Sequence, residues 1–170
     1  MDLQAFKQRV LPTGDRLYRL AKLFLRNREE AEDTAQEVLL RLWNNRQQLD
    51  TYHSVEALAV SMTRNLCLDK LKSQKNKPMV DVATLELRSD SATPYHTVEM
   101  SDSAGLMRRL FEELPPQQQL VLHLRDVEDY SFEEIEQVTG LTVNNIRVIL
   151  SRARKSVRAT YLKFNEYEGH

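Results

Sequence analysis

At 170 residues the chain has room for one ordinary domain or two small ones, and its composition lies inside the globular range. With 24 Lys+Arg against 25 Asp+Glu the net charge is -1, so no overall basicity points to nucleic acid and any such signal must be local. Four Gly, five Pro and the lack of alternating β-branched or aromatic runs argue against a sandwich or barrel and favour an all-α chain, while the single cysteine, Cys67, excludes an internal disulfide framework and a cysteine zinc cluster.

Taken in order, the first helical pattern is Leu17, Leu20, Ala21 and Phe24, ending near Asn27. Asn27 restarts the chain as an N-cap, with Glu30 at the third position and Glu29, Glu30, Glu32 and Asp33 complementing the positive end of the dipole. The helix that follows has Ala31, Ala35, Val38, Leu39 and Leu42 on one apolar stripe, with Asp33, Gln36, Glu37 and Arg41 elsewhere on its surface. A third helix is expected after Ser54, burying Val55, Leu58, Ala59, Met62 and Leu66. Arg64, Leu68, Leu71 and Lys75 gather on its opposite side. From Arg64 to Lys77 there are five basic residues and one acid, Asp69, whose helical position falls back toward the stripe and is expected to be structural.

Residues 76–103 hold 2 basic and 5 acidic residues, are rich in Ser, Thr, Asp and Pro, and show no helical period, so they are expected to form a flexible linker between helical domains at 1–75 and 104–170. In the second domain Leu106, Leu110, Phe111 and Leu114 make a helix stopped by Pro115-Pro116, and Pro116 opens one that buries Leu120, Val121 and Leu124. Ser131 and Glu134 form a capping box for a short helix with Ile135 and Val138 inward, closed at Gly140. Thr142 begins a last helix with Val143, Ile146, Leu150, Ala153 and Val157 on its buried stripe. Short helix, turn and longer helix make a helix-turn-helix. From Thr142 to Lys163 there are six basic residues and no acid, whereas residues 104–141 carry three basic and eight acidic ones. Charge is thus segregated onto the helix that would enter a groove, the footprint of a DNA reader.

The stretch Ala31-Glu32-Asp33-Thr34-Ala35-Gln36-Glu37-Val38, running on to Leu42-Trp43, resembles the helix by which bacterial sigma factors grip core RNA polymerase. Arg64-Asn65-Leu66-Cys67-Leu68-Asp69-Lys70-Leu71-Lys72 resembles their helix for the minus-ten element. Leu114-Pro115-Pro116, Ser131-Phe132-Glu133-Glu134-Ile135 and Ser151-Arg152-Ala153-Arg154 resemble their helix-turn-helix for the minus-thirty-five element. Two domains and a linker match the extracytoplasmic-function group.

The resemblance implies an initiation subunit that binds core polymerase through Asp33, Gln36, Glu37, Leu40 and Arg41. It implies minus-ten contacts from Arg64, Asn65, Lys70, Lys72 and Lys75; the segment before Ser54, with Tyr52 and His53, is expected to form part of a loop that receives a flipped base, the alternative being that Tyr52 packs under the helix. Upstream contacts are expected from Asn144, Asn145, Arg147, Val148, Ser151, Arg152 and Lys155 on the last helix, away from its apolar stripe, with Arg147 the best candidate for base reader. It further implies an anti-sigma partner and a linker lying extended along polymerase. Ala57 stands where the family often has Trp, Ile149 where it often has Arg, and Asn144-Asn145 where a small residue and Thr are commoner.

Other readings stand beside these. Asp33, Gln36 and Glu37 would ordinarily be a solvated face, the basic run after Arg64 a helix end complementing its dipole, Trp43 a packing residue and Cys67 a packed thiol. No metal or other cofactor is expected, since His53, His96, His123 and His170 share no ligating spacing and no phosphate loop exists. An operator-binding dimer would bind DNA without polymerase, and an adaptor that does not read DNA would tolerate loss of the last helix's cations. No apolar run approaches the ~20 residues of a membrane span, and Met1-Asp2-Leu3 lacks a secretory start, so a cytoplasmic protein, not itself an enzyme and without membrane insertion, is expected.

Overall fold

Caps and proline breaks set most helix boundaries in the computed structural model, which describes residues 1–76 and 103–168. Asp2 accepts a hydrogen bond from the Ala5 N–H at 2.7 Å and starts α1 (Leu3–Arg9), which buries Phe6. A 3-10 turn at Leu11–Thr13 leads into α2 (Gly14–Leu25). There the chain turns sharply, because Arg26 adopts a left-handed φ of 55° and its N–H closes onto the Lys22 carbonyl. Asn27 then caps α3 (Arg28–Asn44) by accepting from the Glu30 N–H at 3.0 Å, as its sequence position predicts. A 3-10 segment, Arg46–Thr51, precedes α4 (Val55–Asn76), whose first turn is capped by the Ser54 hydroxyl accepting from the Ala57 N–H at 3.1 Å.

Helix α2 packs on both α3 and α4. Their shared core includes Leu17, Leu20 and Ala21 of α2, Ala31, Ala35, Val38 and Leu42 of α3, and Val55, Ala59, Val60 and Cys67 of α4. The buried stripe of α4 corrects the expected one. It runs through Val55, Ala59, Val60, Thr63 and Cys67, while Leu58, Met62 and Leu66 are half-buried. Leu71, expected on the opposite side, packs against Ala21, Leu25, Ala31 and Cys67, and Asp69, expected to face inward, is exposed. The reason is Thr63, which occupies a buried position because its hydroxyl donates to the Ala59 carbonyl at 2.8 Å and so carries no unmet polar atom into the core.

The second unit has its own core. Helix α5 (Ser103–Glu112) ends before Pro115-Pro116, and buried Gln119 of α6 (Pro116–Leu122) donates back to the Glu112 and Leu114 carbonyls at 3.1 and 2.7 Å, satisfying the end of α5. The chain then takes a π-helical turn, His123–Val127, closed by the Glu128 N–H on the His123 carbonyl. Leu124, expected on α6, is buried from this turn. Ser131 caps α7 (Phe132–Thr139) by accepting from the Glu134 N–H at 3.1 Å. Gly140 ends it at φ 75°, where a β-carbon would be strained, and Thr142 caps α8 (Val143–Glu168) by accepting from the Asn145 N–H. Helix α8 packs on α5, α6 and α7 through Ile146, Leu150 and Ala153. The chain divides into two units, Met1–Asp90 and Ser91–His170. Most of the expected linker lies outside the described residues, and no strand occurs among those described.

Candidate nucleic-acid and polymerase interfaces

On α3 the buried stripe leaves one face to solvent. Asp33, Gln36, Leu40 and Arg41 are exposed there and Glu37 is partly so. Leu40 is 58% exposed, a large apolar side chain in the middle of a polar face. Glu37 accepts from Arg41 one turn on at 2.9 Å, which fixes both side chains on the same surface. The five sequence-predicted polymerase residues thus form one contiguous surface on a single helix, the property required of a docking face.

On α4 the expected set divides. Asn65 and Lys72 are exposed on the side away from the core, with exposed Lys75 and half-buried Arg64 along its edge. The Arg64 guanidinium donates to the Asn65 amide oxygen at 3.3 Å, so the two sit as a pair. Lys70 does not join them. It lies on the core side, its ammonium donating to the Thr34 hydroxyl at 2.7 Å and lying 3.9 Å from the Glu37 carboxylate. Thr34 in turn donates to the Glu30 carbonyl at 2.7 Å, and Gln74 reaches the Glu30 carboxylate, so α3 and α4 are joined by a polar seam. Cys67 is fully buried beside that seam; burial pushes its thiol from 9.0 up to about 12, with the Lys70 charge opposing. It is a packed thiol. Before α4, Tyr52 is 48% exposed and His53 is exposed, so Tyr52 does not pack under the helix. Trp43 packs edge-on against Phe6 at 5.0 Å between ring centres, with Arg46 over its ring at 4.1 Å.

On α8 the expected face is intact. Asn144, Asn145, Arg147, Val148, Ser151, Arg152 and Lys155 are all exposed, opposite Ile146, Leu150 and Ala153. Val148 is 46% exposed. Ile149 is half-buried at the boundary of the stripe.

Three features escaped the sequence. Arg154 makes a bidentate pair with Asp126 of the π-turn, 2.6 and 3.1 Å, and this bonding raises the Arg154 pKa further. The Phe132 ring at the start of α7 carries the guanidinium groups of both Arg125 and Arg147, at 4.6 and 5.3 Å from its centre. An apolar groove of about 500 Å³ opens among Met107 and Phe111 of α5, Leu122, Val127 of the π-turn, and Val157 and Tyr161 of α8. Each of the three includes a residue of the π-turn, Asp126, Arg125 or Val127, and no local signal announces a π-turn, which has no capping or spacing rule of its own.

The Sigma-70 region 2 family matches residues 10–77 and the Sigma-70, region 4 family matches residues 104–157, together more than two thirds of the chain. Similar proteins include the ECF RNA polymerase sigma factor SigW of Bacillus subtilis, 23% identical over 92% of this chain and 89% of its own length. The RNA polymerase sigma factor SigV of the same organism is 25% identical over 86% and 84%. Among solved structures, the sigma factor RpoE from Bartonella quintana, in complex with the anti-sigma factor NepR, superposes with a TM-score of 0.65 at 17% identity, covering 92% of this chain and 96% of that one. CnrH, in complex with the cytosolic domain of CnrY, gives 0.65 at 21% identity over 94% and 89%. Two sigma-70 modules in this order, each carrying an exposed face where the motif places it, make the chain a member of the extracytoplasmic-function group of sigma-70 factors, which bind core RNA polymerase and direct promoter-specific transcription initiation.

Proposed function

We propose a residue-level division of this work. Residues 1–75 bind core polymerase through the α3 face and hold the minus-ten element on the exposed side of α4; residues 104–170 read the minus-thirty-five element through α8. The observation that supports this best is the α8 face, where Arg152 and Lys155 stay exposed opposite a closed apolar stripe. Asn65 contacts an unpaired base edge, with Tyr52 and His53 forming part of the receiving loop, and Arg64, Lys72 and Lys75 hold phosphate. The protein catalyses no reaction itself, since promoter opening draws on binding energy: flipping a base out of the stack costs a few kcal/mol that pocket contacts offset.

The structurally similar RpoE is bound by the anti-sigma factor NepR, which supports an inhibitor of that kind here, and the apolar groove at Phe111 offers it a surface. No helix among the described residues is long and apolar enough to cross a membrane, consistent with action in the cytoplasm on polymerase. The test is transcription from a randomised promoter library with and without core polymerase. Transcripts sharing a two-part upstream motif, produced only with both proteins, are expected. Tight sequence-specific binding by the free protein, unchanged when core is added, would support an operator-binding regulator instead.

A further inference from the structure

The cations of α8 differ in what holds them. Arg154 is gripped by a carboxylate, so its charge is compensated and two of its donors are occupied. Arg147 is held differently. Among the described residues its guanidinium meets one partner, the Phe132 ring, 5.3 Å from the ring centre. An aromatic face attracts a guanidinium through its quadrupole and restricts its orientation, yet accepts no conventional hydrogen bond and cancels no charge. All five N–H donors of Arg147 therefore remain available for a planar, two-pronged contact to a base edge.

The ring itself is fixed. Phe132 opens α7 directly after the Ser131 cap and is half-buried, and Arg125 lies over it at 4.6 Å while donating to the Tyr130 carbonyl at 2.8 Å. Arg125 is thus tethered and Arg147 is not. Two like charges on one ring repel, which disfavours a deeper seat for the untethered one, and Phe132 and Arg147 line an open groove with Ser151 and Lys155.

We propose that Phe132 is a positioning residue that sets base specificity: its ring holds the Arg147 guanidinium ready for one base pair while leaving the donors and charge free. This rests on Arg147 being a base reader. Preorganisation is the mechanism, because a side chain already oriented loses less rotamer freedom on binding.

The experiment measures promoter selectivity of the assembled holoenzyme on a library randomised across the upstream element, for wild type, Phe132→Leu, Phe132→Tyr, Arg147→Ala and the Phe132→Leu/Arg147→Ala pair. Arg147→Ala identifies the base pair that this residue reads. Phe132→Leu is expected to lower preference at that same base pair about two- to fivefold, the range of an exposed cation–π contact. Other base pairs and the salt dependence should hold. Phe132→Tyr keeps a ring face and should retain the preference, which also separates the effect from misfolding if the Leu variant is unstable. In the double variant the Leu change should add nothing at that base pair. Full preference in a folded Phe132→Leu protein, or a further loss in the double variant, overturns the positioning role while leaving Arg147 as reader. Unchanged preference in Arg147→Ala overturns both.

Discussion

Helices α4 and α8 both carry strongly basic runs, yet the fold disposes of those charges differently. On α8 every expected contact residue lies opposite the apolar stripe, so charge and exposure coincide. On α4 one cation of the run, Lys70, is turned into the seam with α3, bonded to Thr34 and close to Glu37. A basic residue's role is set by its angle about the helix axis, at 100° per residue, more than by its membership of a basic run. Two positions separate Lys70, which bonds within the fold, from the exposed Lys72.

The sharpest break of this comparison is at α8. Arg147→Ala should cost about 1–3 kcal/mol and relax preference at one base pair. Arg152→Ala or Lys155→Ala should weaken all promoters alike and lessen salt sensitivity. Promoter-library profiles at two salt concentrations distinguish these outcomes; identical profiles for wild type and Arg147→Ala would place Arg147 on phosphate.

At the α3–α4 seam, Cys67 titrates in the unfolded chain near 9.0 and in the folded protein near 12, so folding is favoured below pH 9 and loses that advantage as pH rises toward 12. At pH 10 the wild type should have lost about 1.4 kcal/mol relative to its own value at pH 8 through this group alone. Cys67→Ala should lack that component, a difference readable in paired denaturant titrations.

Lys70 and Lys72 offer the direct contrast on one helix. Lys70→Met should lower stability by about 0.5–1.5 kcal/mol, the worth of an ordinary hydrogen bond, and leave the salt slope of holoenzyme–promoter binding unchanged. Lys72→Ala should do the reverse, reducing that slope by about one unit with little change in melting temperature. Equal effects of the two on the salt slope would mean that Lys70 leaves the seam for DNA.

The smallest effect is expected at Asp126→Ala. Its pair with Arg154 is exposed, so stability should fall by no more than about 1 kcal/mol. The released Arg154 charge should slightly strengthen non-specific DNA binding, measurable at low salt.

Much of the fold was legible in local chemistry. The caps at Asn27, Ser131 and Thr142, the Pro115-Pro116 break and Gly140 each act within one helical turn, which is why their boundaries could be read directly. The short α1 was missed, since seven residues capped by Asp2 give too little periodicity to register. The α4 stripe was misread because Thr63 is polar by type yet buried, its hydroxyl satisfied within its own helix. At the candidate sites the α3 and α8 faces followed from spacing, whereas the Lys70–Thr34 bond, the ring shared by Arg125 and Arg147, and the Arg154–Asp126 pair join residues of different elements. Such contacts depend on how helices cross, which periodicity within one helix does not encode.

On the proposed division of labour, the exposed side of α4, and not its basic run as a whole, holds the opened minus-ten strand. Permanganate reactivity of unpaired thymines, followed in time on a duplex promoter with holoenzyme, tests it most directly. The Arg64→Ala/Asn65→Ala variant should open the duplex at least about tenfold more slowly, the loss of one good base contact, and a template with a pre-opened bubble should restore much of its transcription. Thymine reactivity that rises as fast and as far as with wild type would contradict the claim.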